Sequence, residues 1–337
     1  MTFISHLIQF LSCSLMNLNV TLYKFLRNWP LPIAMTGGAV AYFLYKALPL
    51  PAGTGAVVSS VVSIVQPGLI FAMLFVTFCK VRISELKPQR WHLWLLAFQL
   101  LPFMAISLSI AFAGGMPSAA RMLMETAMMC LLCPTATAAA VITAKLGGNP
   151  ASLVSYTMQI NMAVAVIAPL FLALSHPVAG LSLEASFLVI VGKVFPLLLL
   201  PLLCAELLRR FLPSVHGWLV TKGRNLPFFL WLVALALAIA VTTKAIVHSQ
   251  ISLLLMAGIA AVSLLCCLLQ FYAGRRIGAR YGETVTGGQA LGQKNTVFAI
   301  WLAYTFLTPV TALAGGFYSV WHNLVNTWQL YNSQHHR

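Results

Sequence analysis

The chain has 337 residues, of which 60% are hydrophobic and only 7% charged, too few polar side chains to cover a soluble protein of this size. Its formal net charge of +15 comes from 20 Lys and Arg against 5 acidic residues, and the basic residues recur in small groups between apolar runs. This spacing argues against nucleic acid as a partner, which favours one basic face, and it indicates a protein whose partner is the lipid bilayer.

The first 28 residues are predicted to form an interfacial segment. They contain the apolar stretch Phe3–Met16, which Lys24 and Arg27 follow rather than precede. A cleavable signal peptide has the opposite order, so a helix lying in the membrane interface is favoured. The seven cysteines are odd in number and fall mostly in or beside apolar stretches, which predicts free thiols.

Residues 29–337 are predicted as one integral membrane domain of about ten transmembrane helices, since each span needs about 20 apolar residues. The apolar windows, in chain order, are Trp29–Leu48, Ala56–Phe78, Trp91–Ala113, Met122–Leu146, Ala151–Ala173, Leu183–Leu207, Leu226–Ile246, Leu253–Tyr272, Thr286–Phe306 and Val310–Leu330. The predicted fold class is therefore all-α.

The basic residues predict the orientation of these spans. Fifteen of them fall on one side of the ten-span arrangement, whereas three, Lys46, Arg121 and Lys244, fall on the other. Both termini are therefore expected in the cytoplasm, with the protein in the plasma membrane, here a bacterial inner membrane. Because five is odd, two halves of about 29–175 and 183–331 have opposite orientations, the inverted-repeat plan of many secondary transporters.

The fourth and ninth spans carry signals of interruption. In the fourth, Pro134 removes a backbone donor and disfavours helix before it. In the ninth, the polar run Gln293-Lys294-Asn295-Thr296 follows Gly287, Gly288 and Gly292. Broken helices in corresponding positions of two repeats form the substrate site of such transporters, so these two spans are expected to break and cross.

Three motifs carry a resemblance to a known family: CPTATAAAVITAKLGGN at Cys133–Asn149, GQKNT at Gly292–Thr296 and YSVWHN at Tyr318–Asn323. In their order and positions the chain after about residue 30 resembles the bile acid:sodium symporters. The resemblance implies a core and a panel domain, two unwound helices crossing near the membrane midplane, and uptake of organic anions coupled to sodium.

Four positions depart from the sodium-coupled members of that family. The positions of a serine, an asparagine, a glutamate and a glutamine are occupied here by Ala139, Ala140, Ala290 and Lys294. These changes remove oxygen ligands that sodium requires and add an ammonium group. We therefore expect an atypical member that is not sodium-coupled in the usual way, working by uniport or proton coupling, with Lys294 standing in for the ion.

The motifs and the intramembrane polar residues supply the candidate site. The residues expected to bind substrate are Thr135, Thr137, Lys294, Asn295, Thr296, Gln99 and Gln293. Those expected to take part in ion or proton coupling are Lys294, Thr157, Gln159 and Asn161, and those expected to have a structural role are Pro134, His322 and Asn323. No metal site and no cofactor are expected.

The leading hypothesis is secondary active transport of a small organic anion by alternating access. Cys133 keeps efflux of an oxyanion open as an alternative, because the related arsenite-efflux permeases use a fourth-span cysteine. An enzyme is not expected, since the chain has no Asp and no HExxH or GxSxG motif. A non-transporting sensor or scaffold is the alternative from another class. The oligomeric state is left open, and a monomer is compatible with the sequence.

Overall fold

The computed structural model describes residues 30–51, 53–81, 87–249 and 251–335, and the predicted interfacial segment 1–28 lies outside them. The described part is helical. Its helices are α1 (Pro30–Ala47), α2 (Thr54–Cys79), α3 (Arg90–Phe112), α4 (Ser118–Leu132), α5 (Ala139–Lys145), α6 (Pro150–Ser175), α7 (Leu183–Phe211), α8 (Pro213–Thr221), α9 (Leu226–His248), α10 (Leu253–Ala279), α11 (Thr284–Gly292), α12 (Thr296–Phe306) and α13 (Leu313–His335).

Six of the described helices, α2, α3, α6, α7, α9 and α10, are long and apolar enough to cross a membrane. Much of their apolar surface faces outward: only 28% of the most apolar window of α7, and the same share in α10, is buried within the protein. Large side chains such as Leu188 and Leu265 are about two-thirds exposed, at 64% and 66%. Apolar surface of this extent is solvated by lipid, so the chain is a helical, membrane-embedded protein.

Every predicted span overlaps a helix of the structure, and the fourth and ninth spans each overlap two. The predicted interruption of those two spans is confirmed. The structure also contains α8 and a short 3-10 helix, Lys222–Asn225, in a connection that the apolar windows leave empty. The arrangement of ten membrane spans as two inverted repeats stays a prediction.

Short polar residues begin several of the long helices. The Asn149 side chain accepts hydrogen bonds from the first backbone N–H groups of α6, and Pro150 occupies its first position. Ser182 and Ser252 accept in the same way from Ala185 and Leu255, at the starts of α7 and α10. These caps satisfy donors that hydrocarbon would leave unpaired, which explains why the predicted starts of these helices lie within one residue of the observed ones.

The helices pack in two groups. In one group, α9 packs against α1 and α2, and α2 packs against α7. In the other, α10 packs against α4, α11 and α13, and α3 packs against α4 and α6. The groups meet where α6 packs against α7 and where α12 reaches α9 and α2.

Glycine allows α11 to lie directly against α10. A Cβ atom at Gly274 would overlap the carbonyl group of Gly287, and one at Gly287 would overlap the carbonyl oxygen of Gly274. Both obstacles are backbone atoms and cannot move aside as a side chain could. This close approach fixes α11, and with it the position of the second helix break.

Candidate functional site

Two interrupted helices define the candidate site. The first break lies between Leu132, the last residue of α4, and Ala139, the first residue of α5. The second break separates Gly292 at the end of α11 from Thr296 at the start of α12. We call the place where these two breaks meet the crossing.

The breaks satisfy each other's backbone groups. Thr135 and Lys294 form an isolated antiparallel β-bridge. The N–H of Ala136 donates to the carbonyl of Gln293 at 3.0 Å, and the N–H of Asn295 donates to the carbonyl of Pro134 at 2.8 Å. Backbone that leaves a helix inside a membrane must find partners in the protein, and here each break supplies them to the other.

Side chains add three more ties at the crossing. The Cys133 thiol donates to the carbonyl of Asn295 at 2.7 Å, and the Thr135 hydroxyl donates to the carbonyl of Ala290, also at 2.7 Å. The Asn295 side-chain oxygen caps α12 by accepting from the N–H of Phe298 at 3.2 Å, while its Nδ2 has no partner among the described residues. Thr135 is thus held within the fold, whereas the amide nitrogen of Asn295 is buried without a partner among the described residues.

Gln99 holds the first break from α3. Its amide nitrogen donates to the carbonyls of Leu132 and Cys133, at 3.3 and 2.9 Å, and its oxygen accepts from the Tyr156 hydroxyl at 3.0 Å. These carbonyls belong to the unfinished end of α4 and have no next helical turn to bond to. Gln99 therefore lies at the crossing and stabilises its geometry, and its contact with a substrate stays a prediction.

Lys294 is the unusual member of the crossing. The residue is 1% exposed, and its Nζ atom has no hydrogen-bond partner in the described structure. The groups close enough to act on it electrostatically are the thiols of Cys130, Cys133, Cys266 and Cys267. Next to these, Tyr318 donates to the carbonyl of Gly292 at 3.0 Å and accepts from the Gln270 amide at 3.1 Å. The side-chain amine of Lys294 is therefore buried without a hydrogen-bond acceptor among the described residues.

The other predicted substrate residues take different positions. Thr137 lies in the first break and is half-buried. Thr296 is the first residue of α12 and is buried, and the Gln293 amide donates to the side chain of Gln289. The structure therefore brings the predicted set together around the two breaks, with Gln293 turned back toward α11.

The residues predicted for ion or proton coupling on α6 bond elsewhere. The Thr157 hydroxyl donates to the carbonyl of Leu153 at 2.9 Å, and the Asn161 amide donates to the carbonyl of Thr157 at 2.7 Å. Gln159 lies 3.0 Å from the Nδ1 atom of His92 on α3. Their observed hydrogen bonds run within α6 or to α3, and none of them reaches Lys294.

His322 and Asn323, predicted to have a structural role between helices, both lie on α13. The Asn323 amide donates to the carbonyl of Ser319 at 2.7 Å, which is a bond within its own helix. His322 is buried, with its ring 5.7 Å from that of Tyr318, and its Nδ1 atom has no partner among the described residues. Of the two, only His322 packs toward the aromatic group that touches the crossing.

A cavity of about 810 Å³ lies between α1, α2, α7, α9 and α12, in a region that none of the predicted site residues lines. Its wall is mostly apolar and aromatic, with a few polar groups. The polar and aromatic residues that line it include Tyr42, Tyr45, Ser59, Ser63, Gln66, Lys193, Lys244, Trp301, Tyr304 and Thr305. A large apolar space with a few polar groups is the usual form of a small-molecule site.

Three of the side chains that line this cavity contain hydrogen-bond donors. The Lys193 Nζ atom lies 5.6 Å from the centre of the Phe306 ring, and the Lys244 Nζ atom donates to the Ser59 hydroxyl at 3.4 Å. Gln66 is 3% exposed, and its amide nitrogen has no partner in the described part of the chain. Lys193, Lys244 and Gln66 line this space, and none of its described lining residues is acidic, which suits an anion.

Sequence reasoning missed the environment of Glu125. The predicted span starts at Met122 and places this acid near its end, but α4 starts at Ser118, and Glu125 is 3% exposed in its interior. Its carboxylate accepts from Arg121 at 3.1 Å and from Thr311 at 2.8 Å, and lies 2.9 Å from His176. The Arg121 and Glu125 spacing of four residues was the available signal. This carboxylate ties α4 to the connection between α12 and α13.

The described cysteines are all free, and no group of three or more metal-ligating side chains occurs among the described residues. Neither a protein-family model nor a curated protein matches the chain. The function is therefore argued from the crossing and the cavity.

Proposed function

We propose that this membrane protein is a secondary transporter that moves a small organic anion by alternating access. The observation that carries the proposal is the Lys294 ammonium group, buried without a hydrogen-bond partner where two interrupted helices meet. Ionisable groups inside a membrane are expensive, and their usual role is in a substrate or ion pathway.

The free energy needed to bury the Lys294 side chain argues against a purely structural role. Removing an ammonium group from water costs several kcal/mol after relaxation, and here no opposite charge repays it. A structural position would be served better by a methionine or leucine of similar length. An anion arriving at the crossing would provide the missing counter-charge, and the free Nδ2 of Asn295 would donate to the same ligand.

The proposed mechanism does not use sodium in the manner of the family that the sequence resembles. The positions that would offer oxygen ligands are Ala139 and Ala290, both fully buried, and Ala140. A fixed ammonium beside them repels a second cation. The positive charge of Lys294 replaces that of the sodium ion. Transport of the anion is then coupled to protons or is not coupled to an ion.

The cavity is the proposed entry to the crossing. It adjoins α12, the helix that begins at the second break, through Trp301, Tyr304 and Thr305. Lys193 and Gln66 would draw the anion into this space, whose apolar walls accept an organic body. Movement of the α1, α2, α7 and α9 group against the other group would then expose the crossing to each side in turn.

This motion requires the ten-span plan, with two inverted repeats and both termini in the cytoplasm. The positive-inside distribution of basic residues supports that orientation. The two breaks at corresponding places in the fourth and ninth spans support the repeat. Catalysis is not part of the proposal.

A ligand-stabilisation screen tests the proposal. Purified protein is heated with carboxylates, sulfonates, inorganic anions and arsenite, since a bound ligand raises the unfolding midpoint by mass action. An organic anion that stabilises the protein is then followed into proteoliposomes under sodium, potassium and proton gradients. Lys193→Ala at the cavity is compared with Lys222→Ala, an exposed lysine outside the cavity lining.

We expect organic anions to stabilise the protein in sodium and potassium alike, and Lys193→Ala to weaken uptake while Lys222→Ala does not. If arsenite alone stabilised the protein, oxyanion efflux would be the better-supported function. Binding of an anion without any flux would favour a sensor or scaffold.

A further inference from the structure

A second recess lies on the outer surface, between α3 and the end of α10, away from the crossing. It has a volume of about 440 Å³. Trp94, Phe98 and Leu101 line it from α3, and Ile277, Arg280 and Tyr281 line it from the α10 side. We call this recess the outer groove.

The outer groove opens toward the lipid. Trp94 and Leu101 are 61% and 60% exposed, although both are large and apolar. Trp94 is the fifth residue of α3, and Arg280 directly follows the last residue of α10, so the groove begins at the ends of both helices. The helical rise over the seven steps from Trp94 to Leu101 extends the groove about 10 Å along α3. It is a mainly apolar groove whose lining residues include one cation, Arg280.

The residues at the mouth are those of a membrane interface. Trp and Tyr concentrate at the level of lipid head groups, and here Trp94 and Tyr281 flank the groove. One exposed stripe of α10 runs from Leu265 and Leu269 through Tyr272 to Arg276, at helical spacing. It changes from apolar to basic toward the same end, as a surface does where it passes from acyl chains to head groups.

The charge at this end is positive. Of the described residues that line the outer groove, Arg280 alone is charged. Arg276 lies over the ring of Tyr272, 5.2 Å from its centre. Glu283, the nearest acid in sequence, accepts from the Asn149 amide at 3.1 Å and from the Thr286 hydroxyl at 2.5 Å, and it does not line the groove. Among the described residues no carboxylate therefore competes for Arg280 at the groove, and an arginine in such a setting binds phosphate well.

We propose that the outer groove binds an anionic phospholipid, with an acyl chain against Phe98 and Leu101 and the head-group phosphate on Arg280. Basic pockets between helices at the cytoplasmic side recognise anionic lipids, and the basic residues of this end place it on that side. The site is separate from the anion pathway and does not depend on the proposed transport.

The test compares unfolding midpoints of the purified full chain in detergent with added phosphatidylglycerol, phosphatidylcholine or soluble glycerol 3-phosphate. The variants are Arg280→Gln, which removes the cation, and Leu101→Trp, which fills the channel at an exposed position. Arg210→Gln is the matched control, because Arg210 is an exposed arginine near the end of α7, as Arg280 is at the end of α10, but lines neither recess.

Phosphatidylglycerol should raise the midpoint of the wild type and of Arg210→Gln by about 2 °C or more, and the rise should be lost in Arg280→Gln and in Leu101→Trp. Phosphatidylcholine and glycerol 3-phosphate should have little effect. An equal rise in Arg280→Gln, an equal rise with phosphatidylcholine, or a full effect retained in Leu101→Trp would each overturn the proposal. Stabilisation by glycerol 3-phosphate as strong as that by the lipid would show an anion site without an acyl-chain groove.

Discussion

The crossing and the cavity each contain a lysine, in opposite surroundings. Lys294 lies near four cysteine thiols, is 1% exposed and has no hydrogen-bond partner in the described structure. Lys193 lines a space of about 810 Å³ beside the ring of Phe306. The crossing is thus closed and electrostatically unbalanced, and the cavity is open and able to relax around its charge. We infer that the cavity admits an anion and that the crossing holds it.

The largest expected effect comes from the packing that fixes the crossing. Gly274→Ala places a methyl group against the backbone of Gly287, and should destabilise the protein by about 3 kcal/mol or more because neither backbone can yield. Gly192→Ala is the control near the cavity, where an added Cβ meets nothing within 4 Å. The yield of folded protein and the unfolding midpoint in detergent measure both changes. Equal midpoints for the two variants would contradict this picture of the crossing.

Removing the proposed charge of Lys294 should stabilise the protein, whereas Gly274→Ala should destabilise it. Lys294→Met keeps the length of the side chain and removes an unbalanced ammonium, so it should raise the free energy of unfolding by about 2 kcal/mol. Lys193→Met, at an exposed position, should leave it within about 0.5 kcal/mol. A fall in the stability of Lys294→Met would mean that the ammonium already has a partner in the protein.

Loss of a side-chain hydrogen bond at the crossing should have a smaller effect on stability. Thr135→Val removes the donor to the buried carbonyl of Ala290 and should cost about 1 kcal/mol. The hydroxyl of Thr305 at the cavity donates to the carbonyl of Trp301 in its own helix, so Thr305→Val is the matched control and should cost less. Thermal unfolding of the two variants gives the difference in their stabilities. A larger loss of stability in Thr305→Val would mean that the hydroxyl at the cavity, and not the one at the crossing, stabilises the fold.

No effect is expected from exchanging sodium for potassium. The buried alanines at positions 139 and 290 offer no side-chain oxygen, and the positive charge proposed for Lys294 would repel a cation. Anion-induced stabilisation measured in the two salts at equal ionic strength should coincide. A several-fold weaker affinity in potassium would show a sodium site that these residues do not explain.

The sequence was informative where a pattern is long. Apolar windows predicted the long helices to within a few residues at most ends, and Pro134 with the glycines before Gln293 predicted both breaks. It could not show that Gln99 bonds the end of α4, that Gln66 lines the cavity, or that Glu125 is buried. These contacts join residues far apart in the chain, and no local period encodes them.

The most direct test of the central claim is anion binding and uptake by Lys294 variants in purified form. The substrate-stabilised wild type is compared with Lys294→Ala, which removes the charge, and with Lys294→Arg, which keeps it, both in detergent and in proteoliposomes. The account predicts that Lys294→Ala stays folded but loses most of its anion-induced stabilisation and uptake, while Lys294→Arg retains more of both. Wild-type binding and uptake by Lys294→Ala across neutral pH would contradict it.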